Sequence, residues 1–171
     1  MSHYIRPRID AACIFFTLAL ARRGSDLLLR EVNRLRQAVA ITKRDLPFEI
    51  NAWVVLPDHL HAVWTLPAGD SDYPLRWRLI KSRFSHGLDA QPRSPSKVAQ
   101  AEKGIWQRRY WDHHIRDEAD YAAHLRYCWG NPVKHGLVAR ASDWPFSSIH
   151  RDMRFGLVEP EWAEVAGEFG E

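Results

Sequence analysis

Residues 48–66 read FEINAWVVLPDHLHAVWTL, two runs dense in β-branched and aromatic residues broken only by Pro57-Asp58. Runs of this kind at this spacing predict a β-hairpin, because they pack well on a pleated surface and the proline presets the turn. The first run, 48–56, is expected to put Ile50, Ala52, Val54 and Leu56 on one face, and the second, 59–66, to pair with it. A hairpin this apolar is not stable alone, so the rest of the chain must supply further strands and covering helices.

Those layers can be read in order. Residues 11–21 (AACIFFTLALA) follow Arg6 and Arg8 and end in Ala-Leu-Ala, which imitates a secretory leader. The run is too short to span a bilayer and Arg22-Arg23 follow at once, so it reads as a core strand of a cytoplasmic protein. Residues 25–44 read as one helix, with Leu28, Val32, Leu35 and Val39 three or four apart and Ser25 as N-cap. A second helix covers 73–88, its buried stripe being Tyr73, Trp77, Ile80, Phe84 and Leu88. The polar stretch 89–104 contains two prolines and reads as a loop. Residues 105–116 (IWQRRYWDHHIR) read as a fourth, edge-type strand. Asp117 then caps a helix running to about residue 130, because Pro132 disfavours helical geometry at Asn131. The order predicts an α+β fold: an antiparallel sheet with helices mainly on one face, of the ferredoxin-like or RRM-like kind.

Charge narrows the partners. Residues 155–171 hold five glutamates and no Lys or Arg, so residues 1–154 carry +8, from 24 basic against 16 acidic side chains. A basic body, 1–154, with an acidic tail, 155–171, suits a polyanion partner, though a plain solvated surface has the same composition. Cys13 and Cys128 both sit in apolar surroundings, which favours two buried thiols in a reducing compartment over a disulfide.

The chemistry concentrates at two places. In a strand, residues two apart face the same side, so His59 and His61 stand together while Leu60 points into the other layer. Two neighbouring imidazoles can chelate one divalent cation; they can equally be satisfied or surface histidines, and a two-ligand site needs a third ligand. On the helix after Asp117, Tyr121, Leu125 and Cys128 form a core stripe, while Asp120, His124, Tyr127 and Asn131 share a polar flank. Tyr127 and Asn131 are one turn apart, so Asn131 can complete a metal site with the Tyr127 phenol beside it. Otherwise Tyr127 is an amphipathic surface residue. A phenol, with a pKa near ~10, is a weak nucleophile at neutral pH. A divalent cation on a phosphate oxygen makes the phosphorus more electrophilic and orients the scissile bond.

The segments LPDHLHAVWTLP, WQRRYWDHHIRDEADY and YCWGNPVKHGLV, with FEINAWVVLP and SDWPFSS flanking them, together resemble the single-tyrosine HUH transposases over roughly residues 10–155. Within that group the chain is most similar to the REP-associated tyrosine transposases of bacteria. The resemblance implies that His59 and His61 bind Mg²⁺ or Mn²⁺, with Asn131 where relatives supply a third ligand. It implies that Tyr127 forms a 5′-phosphotyrosine and frees a 3′-OH. It further implies a substrate of single-stranded or hairpin DNA at REP-type palindromes, a monomer rather than a dimer, and a nucleoid-associated place in the bacterial cytoplasm. Cys128-Trp129-Gly130 departs from the family pattern, and Gly130 loosens the last helical turn by roughly 1 kcal/mol relative to Ala.

DNA contacts are expected from cations outside the apolar stripe of the 73–88 helix, namely Arg76, Arg78, Lys81 and Arg83, and from Arg108, Arg109 and Lys134. His113 and His114 adjoin the same helix as Tyr127. Trp106, Tyr110 and Trp111 are each either core or stacking platforms for unpaired bases. The acidic tail is expected to compete with DNA for the basic cleft. Two other readings remain: an RRM-like module that binds single-stranded nucleic acid without cleaving it, and a hydrolase in which His59, His61 and Asp58 activate water.

Overall fold

A computed structural model describes residues 9–158; residues 159–171, most of the acidic tail, lie outside the described residues. Four strands, β1 (Cys13–Ala19), β2 (Glu49–Val55), β3 (His59–Thr65) and β4 (Trp111–His114), form one sheet in the order β2-β3-β1-β4. Every pairing is antiparallel, the order and sense of a ferredoxin-like sheet.

The hairpin forms as its sequence requires, with Leu56, Pro57 and Asp58 in the turn and the Leu56 N–H donating to the His59 carbonyl at 2.9 Å. Its facing differs from simple alternation. The β2–β3 register slips between Ile50 and Ala52, so Ile50 packs in one core layer while Ala52, Val54 and Leu56 pack in the other. One extra residue at a β-bulge reverses the side on which later residues fall.

The layer containing Ile50 is the larger core. Helix α2 (Val32–Asp45) and helix α3 (Tyr73–Ser85) cover this face. The expected single helix over 25–44 is divided, a short α1 (Leu27–Arg30) preceding α2 with Glu31 between them. Tyr73, Trp77, Ile80 and Phe84 are buried as the stripe predicts, and Leu88 is partly so. Trp64 stacks on Trp77 with ring centroids 4.0 Å apart, and Phe48 closes on Trp64 at 4.1 Å. Full burial of large apolar side chains stabilises by about 1.5–3 kcal/mol each, and aromatic pairs add to that.

Helix α5 (Glu118–Lys134) lies on the opposite face, where Cys128 packs with Phe15, Ala52, Val54 and Val63. It continues through Pro132, beyond the expected end at residue 130. The proline removes one N–H donor from the last turn, yet Trp129, Gly130, Asn131 and Pro132 are all buried there. The His135 N–H donates to the Asn131 carbonyl and the Leu137 N–H to that of Pro132. Tertiary packing outweighs the local preference.

The expected strand over 105–116 is reduced to β4, with one isolated bridge from Trp106 to Leu20. The loop over 89–104 contains a short α4 (Pro95–Ala99) capped by Ser94. On the far side, residues 146–148 run along β2: the Val55 N–H donates to the Phe146 carbonyl and the Ser148 N–H to that of Trp53. A final helix, α6 (Ile149–Arg154), follows. Both cysteines are free thiols, Cys128 buried and Cys13 half-buried. No helix among the described residues is long and apolar enough to cross a membrane.

Arg76 corrects the sequence expectation. Placed among the DNA-contacting cations, it is only 1% exposed. Its guanidinium donates to the Asp70 carboxylate at 2.6 and 3.1 Å and to the carbonyls of Leu46, Pro47 and Asp72. A planar fork of five donors suits this task of tying α3 to the loop ends on either side. Removing it leaves Asp70 and three carbonyls without their partner. Arg76→Ala should therefore destabilise the fold by about 3–5 kcal/mol in a denaturant titration. DNA affinity per folded molecule should stay the same; a pure affinity loss at unchanged stability would restore Arg76 as a DNA contact.

Candidate active site

The site lies between β3, β1 and α5, on the smaller-core face. In the β1–β3 register Thr17 stands opposite His61, and Ala19 opposite His59. Strand alternation sends both imidazoles toward α5 and leaves Leu60 and Ala62 in the tryptophan-rich layer. The two rings are 5.2 Å apart, centroid to centroid, and nearly perpendicular.

Each imidazole is held through Nδ1. His59 Nδ1 lies 2.6 Å from Asp58 Oδ1. Burial alone would push the Asp58 carboxyl up, but the His59 hydrogen bond, the Gly24 N–H and the Arg23 cation hold it below the usual carboxylate range. An ionised Asp58 only accepts, so His59 Nδ1 carries a proton, and Nε2 is the ring nitrogen left to act as a ligand. His61 Nδ1 pairs with Thr17 Oγ1 at 2.8 Å. Burial, and then the neighbouring His59 and His135 rings, push His61 down to about 3. His61 is therefore neutral at physiological pH, and in the tautomer that donates Nδ1–H to Thr17 Oγ1 its Nε2 lone pair stays available.

Helix α5 supplies the other wall. The flank expected to be polar faces the sheet instead, with Asp120 and Asn131 buried. Tyr127 sets its ring 5.1 Å from that of His61 and 5.7 Å from that of Phe15. Lys134 holds Nζ 5.3 Å from the centre of the Tyr127 ring. Asn131 is 1% exposed, and its carboxamide lies near enough to the His61 imidazole to favour the protonated ring, yet its Oδ1 and Nδ2 and the His61 Nε2 are all buried without a hydrogen bond of good geometry. Buried polar atoms left unpaired cost about 1–3 kcal/mol apiece. Two imidazole lone pairs and a carboxamide oxygen are donors that suit a divalent cation with N and O ligands, so the residues present fit a metal.

The structure brings together His59, His61, Tyr127 and Asn131, all singled out from sequence, and adds Thr17 beside them, which becomes visible only once the β1–β3 register is known. Sequence reading also gave no role to His135, whose ring lies 4.9 Å from that of His59. Asp58, weighed as a water-activating carboxylate, instead spends its oxygens on His59 and the Gly24 N–H.

A second group stands beside the first. His113, Asp120 and His124 bring ligand-type atoms within 4.8 Å of one another. Asp120 accepts from His113 Nε2 at 2.9 Å and from the backbone N–H and Nε of Arg116 at 3.1 and 3.0 Å. His124 Nδ1 donates to the Asp120 carbonyl at 2.8 Å. Burial alone would raise the Asp120 carboxyl, but these donors hold it well below the usual carboxylate range. His113 and His114 part company, since alternation turns His114 to the other face, against Tyr73.

Most of the remaining cations are on that other face. Arg78, Lys81 and Arg108 line a groove of about 730 Å³ between α3 and residues 100–108. Lys81 also donates to the Gln107 carbonyl, Arg108 to Glu102 and Ser96, and Arg83 to Thr42 and Asp45. Arg109 is exposed. Of the cations singled out from sequence, Lys134 is the one at the tyrosine.

No family model matches the chain. Over 169 residues it is 48% identical to the REP-associated tyrosine transposase of Escherichia coli (strain K12), covering 99% of this chain and 95% of that one. A relative from Haemophilus influenzae is 41% identical over 164 residues, 95% of this chain and 93% of the other. Among solved structures, that of a REP-associated tyrosine transposase bound to a REP hairpin superposes with a TM-score of 0.84 at 47% identity. It covers 100% of this chain and 98% of that one.

The buried neutral imidazoles have a consequence for stability. An unfolded histidine takes up a proton near ~6.5, whereas His61 resists to about 3; His114 and His135 are lowered too, first by burial. Below the unfolded value the unfolded chain binds more protons, so folding stability falls as pH drops. Metal-free protein should lose on the order of 2 kcal/mol through His61 alone between pH 6.5 and 5. His61→Gln should melt with a shallower pH dependence over that range; parallel slopes in the two proteins would refute the burial argument.

Proposed function

Because this chain belongs to the REP-associated tyrosine transposases, and is thus a DNA-processing enzyme, we propose that it cleaves and rejoins single-stranded DNA at REP-type hairpins through Tyr127. The observation that carries this reading is the meeting of three groups at one corner of the sheet. These are the half-buried Tyr127 ring and the buried His61 Nε2 and Asn131 carboxamide, which lie near each other without a hydrogen bond of good geometry.

In this proposal Tyr127 Oη forms a bond to the scissile phosphorus as the P–O3′ bond breaks. The 5′ phosphate stays on the enzyme as a phosphotyrosine, and the phenolic proton is balanced by the one gained on the departing 3′-OH. Attack by a 3′-OH on that ester runs the same steps backwards and rejoins the strand, with no external energy source. His59, His61 and Asn131 would hold a Mg²⁺ or Mn²⁺, which would supply positive charge and raise the electrophilicity of a bound phosphate. Asp58 and Thr17 fix the ring orientation of the two histidines, which is how partners behind a ligand raise its basicity. Lys134 offers its charge to the phosphate beside the phenol. Arg78, Lys81, Arg108 and Arg109 contact backbone phosphates farther along the DNA, with Arg83 contributing at the end of α3.

All of these groups belong to one chain, which supports action as a monomer. Action on nucleoid DNA in the bacterial cytoplasm follows from the substrate.

Two measurements test the reading. Incubation with a REP-type hairpin carrying a single-stranded flank, in Mn²⁺, should give protein-linked DNA on a denaturing gel. Tyr127→Phe should abolish that adduct and spare hairpin binding, while His59→Ala should lose both Mn²⁺ binding and cleavage. Cleavage that survives in Tyr127→Phe would mean water is the nucleophile, and metal-independent binding with no adduct would mean a non-catalytic module. Separately, Arg78→Ala should lower the slope of log affinity against log salt by about one. An unchanged slope would remove Arg78 from the contact set.

A further inference from the structure

Trp106, Tyr110 and Trp111 lie within six residues of one another, and the fold sorts them sharply. Trp106 is 7% exposed and packs against Phe84, and Tyr110 packs against Phe16 and Trp77. Trp111 is 55% exposed. It stands on β4 opposite Thr17, which in turn stands opposite His61, so all three side chains share the active-site face in one row across the sheet. Helix α5 packs mainly over β2 and β3 and meets β4 at His113, through Asp120 and His124, so that Trp111 at the head of β4 is left exposed.

The exposed indole is held in place. His113 lies alongside it with ring centroids 5.8 Å apart and planes 10° from parallel, and His124 continues the stack below His113 at 4.7 Å and 18°. Asp120 fixes both imidazoles through the hydrogen bonds described above. Phe15 supports the edge of Trp111 at 5.6 Å, and this same buried ring touches His61 and Tyr127. A flat, rigid π surface thus begins one ring contact from the nucleophile's own neighbour. Arg109 and Arg116, both exposed, bracket it in sequence.

A large indole left open to water, yet immobilised from behind, is the form of a stacking platform: every base has a π face, and a pre-ordered ring loses little freedom on binding. We propose that Trp111 stacks against one unpaired base of the DNA strand near the scissile phosphate. Asp120, acting through His113 and His124, positions that plate. The inference rests on the single-stranded-DNA reading above and adds to it a subsite for a base.

The test reads affinity rather than cleavage. Fluorescence anisotropy is measured on REP-type hairpins with an unpaired flank, on the same hairpins without one, and on a series with one abasic nucleotide walked along the flank. For the wild type, one abasic position should weaken binding more than its neighbours. Trp111→Ala and Trp111→Leu should each weaken binding to the intact flank by about 5- to 150-fold and erase the penalty at that one position. Trp111→Phe should retain most of both, and the flankless hairpin should bind all four proteins alike. Thermal melting checks that each variant is folded.

Wild-type affinity in Trp111→Leu, or a loss in which every abasic penalty persists, would overturn the platform. If wild-type protein gives no covalent adduct while the Trp111 coupling is present, the phosphotyrosine chemistry fails and the base subsite stands. If the adduct forms without the coupling, only the base subsite fails.

Discussion

Everything at the site depends on the register between β1 and β3. Thr17 can hold His61, and Phe15 can lie between His61, Tyr127 and Trp111, only because Thr17 and His61 are paired across the two central strands. Side-chain facing has a period of two, so a slip of one residue would drive polar imidazoles into the layer occupied by Trp64 and Trp77. Burying them there without partners would cost several kcal/mol. The larger core therefore does more than stabilise: by demanding Leu60, Ala62 and Trp64 on its side, it dictates where His59 and His61 must point.

The parts legible in the sequence were those carried by short-range periodicity. The hairpin around Pro57-Asp58, the buried stripe of α3 and the one-turn spacing of Tyr127 and Asn131 all follow from spacing alone. The parts that were not legible depend on contacts distant in sequence. The bulge at Ile50/Ala52 is set by what β3 presents to it. Arg76 was read as a surface cation because its acceptors, Leu46, Pro47 and Asp70, assemble only in the fold. Pro132 was read as a terminator because propensity cannot register that the residues around it are buried. Trp106 and Trp111 look alike in sequence, but Trp106, bridged to Leu20 ahead of β4, is covered by Phe84, whereas Trp111, at the head of β4, is exposed.

On the active-site face the histidines are neutral or paired with carboxylates, and Asp58 and Asp120 are each fully engaged as acceptors. Such a site presents lone pairs rather than net charge. Exposed guanidinium and ammonium groups lie on both faces, Arg78 and Arg108 in the groove beside α3, and Arg23, Arg116 and Lys134 around the imidazoles.

The two margins of that sheet bear on how the protein behaves in a crowded cell. An unsatisfied strand margin is a template on which another polypeptide can add itself, and it is where ordered aggregation starts. Here the β2 margin is occupied by residues 146–148 and the opposite strand is only four residues long. Neither side offers a long free ladder for a second copy to continue. The chain can therefore keep an exposed aromatic such as Trp111 on the active-site face without its sheet margins becoming the start of a fibre.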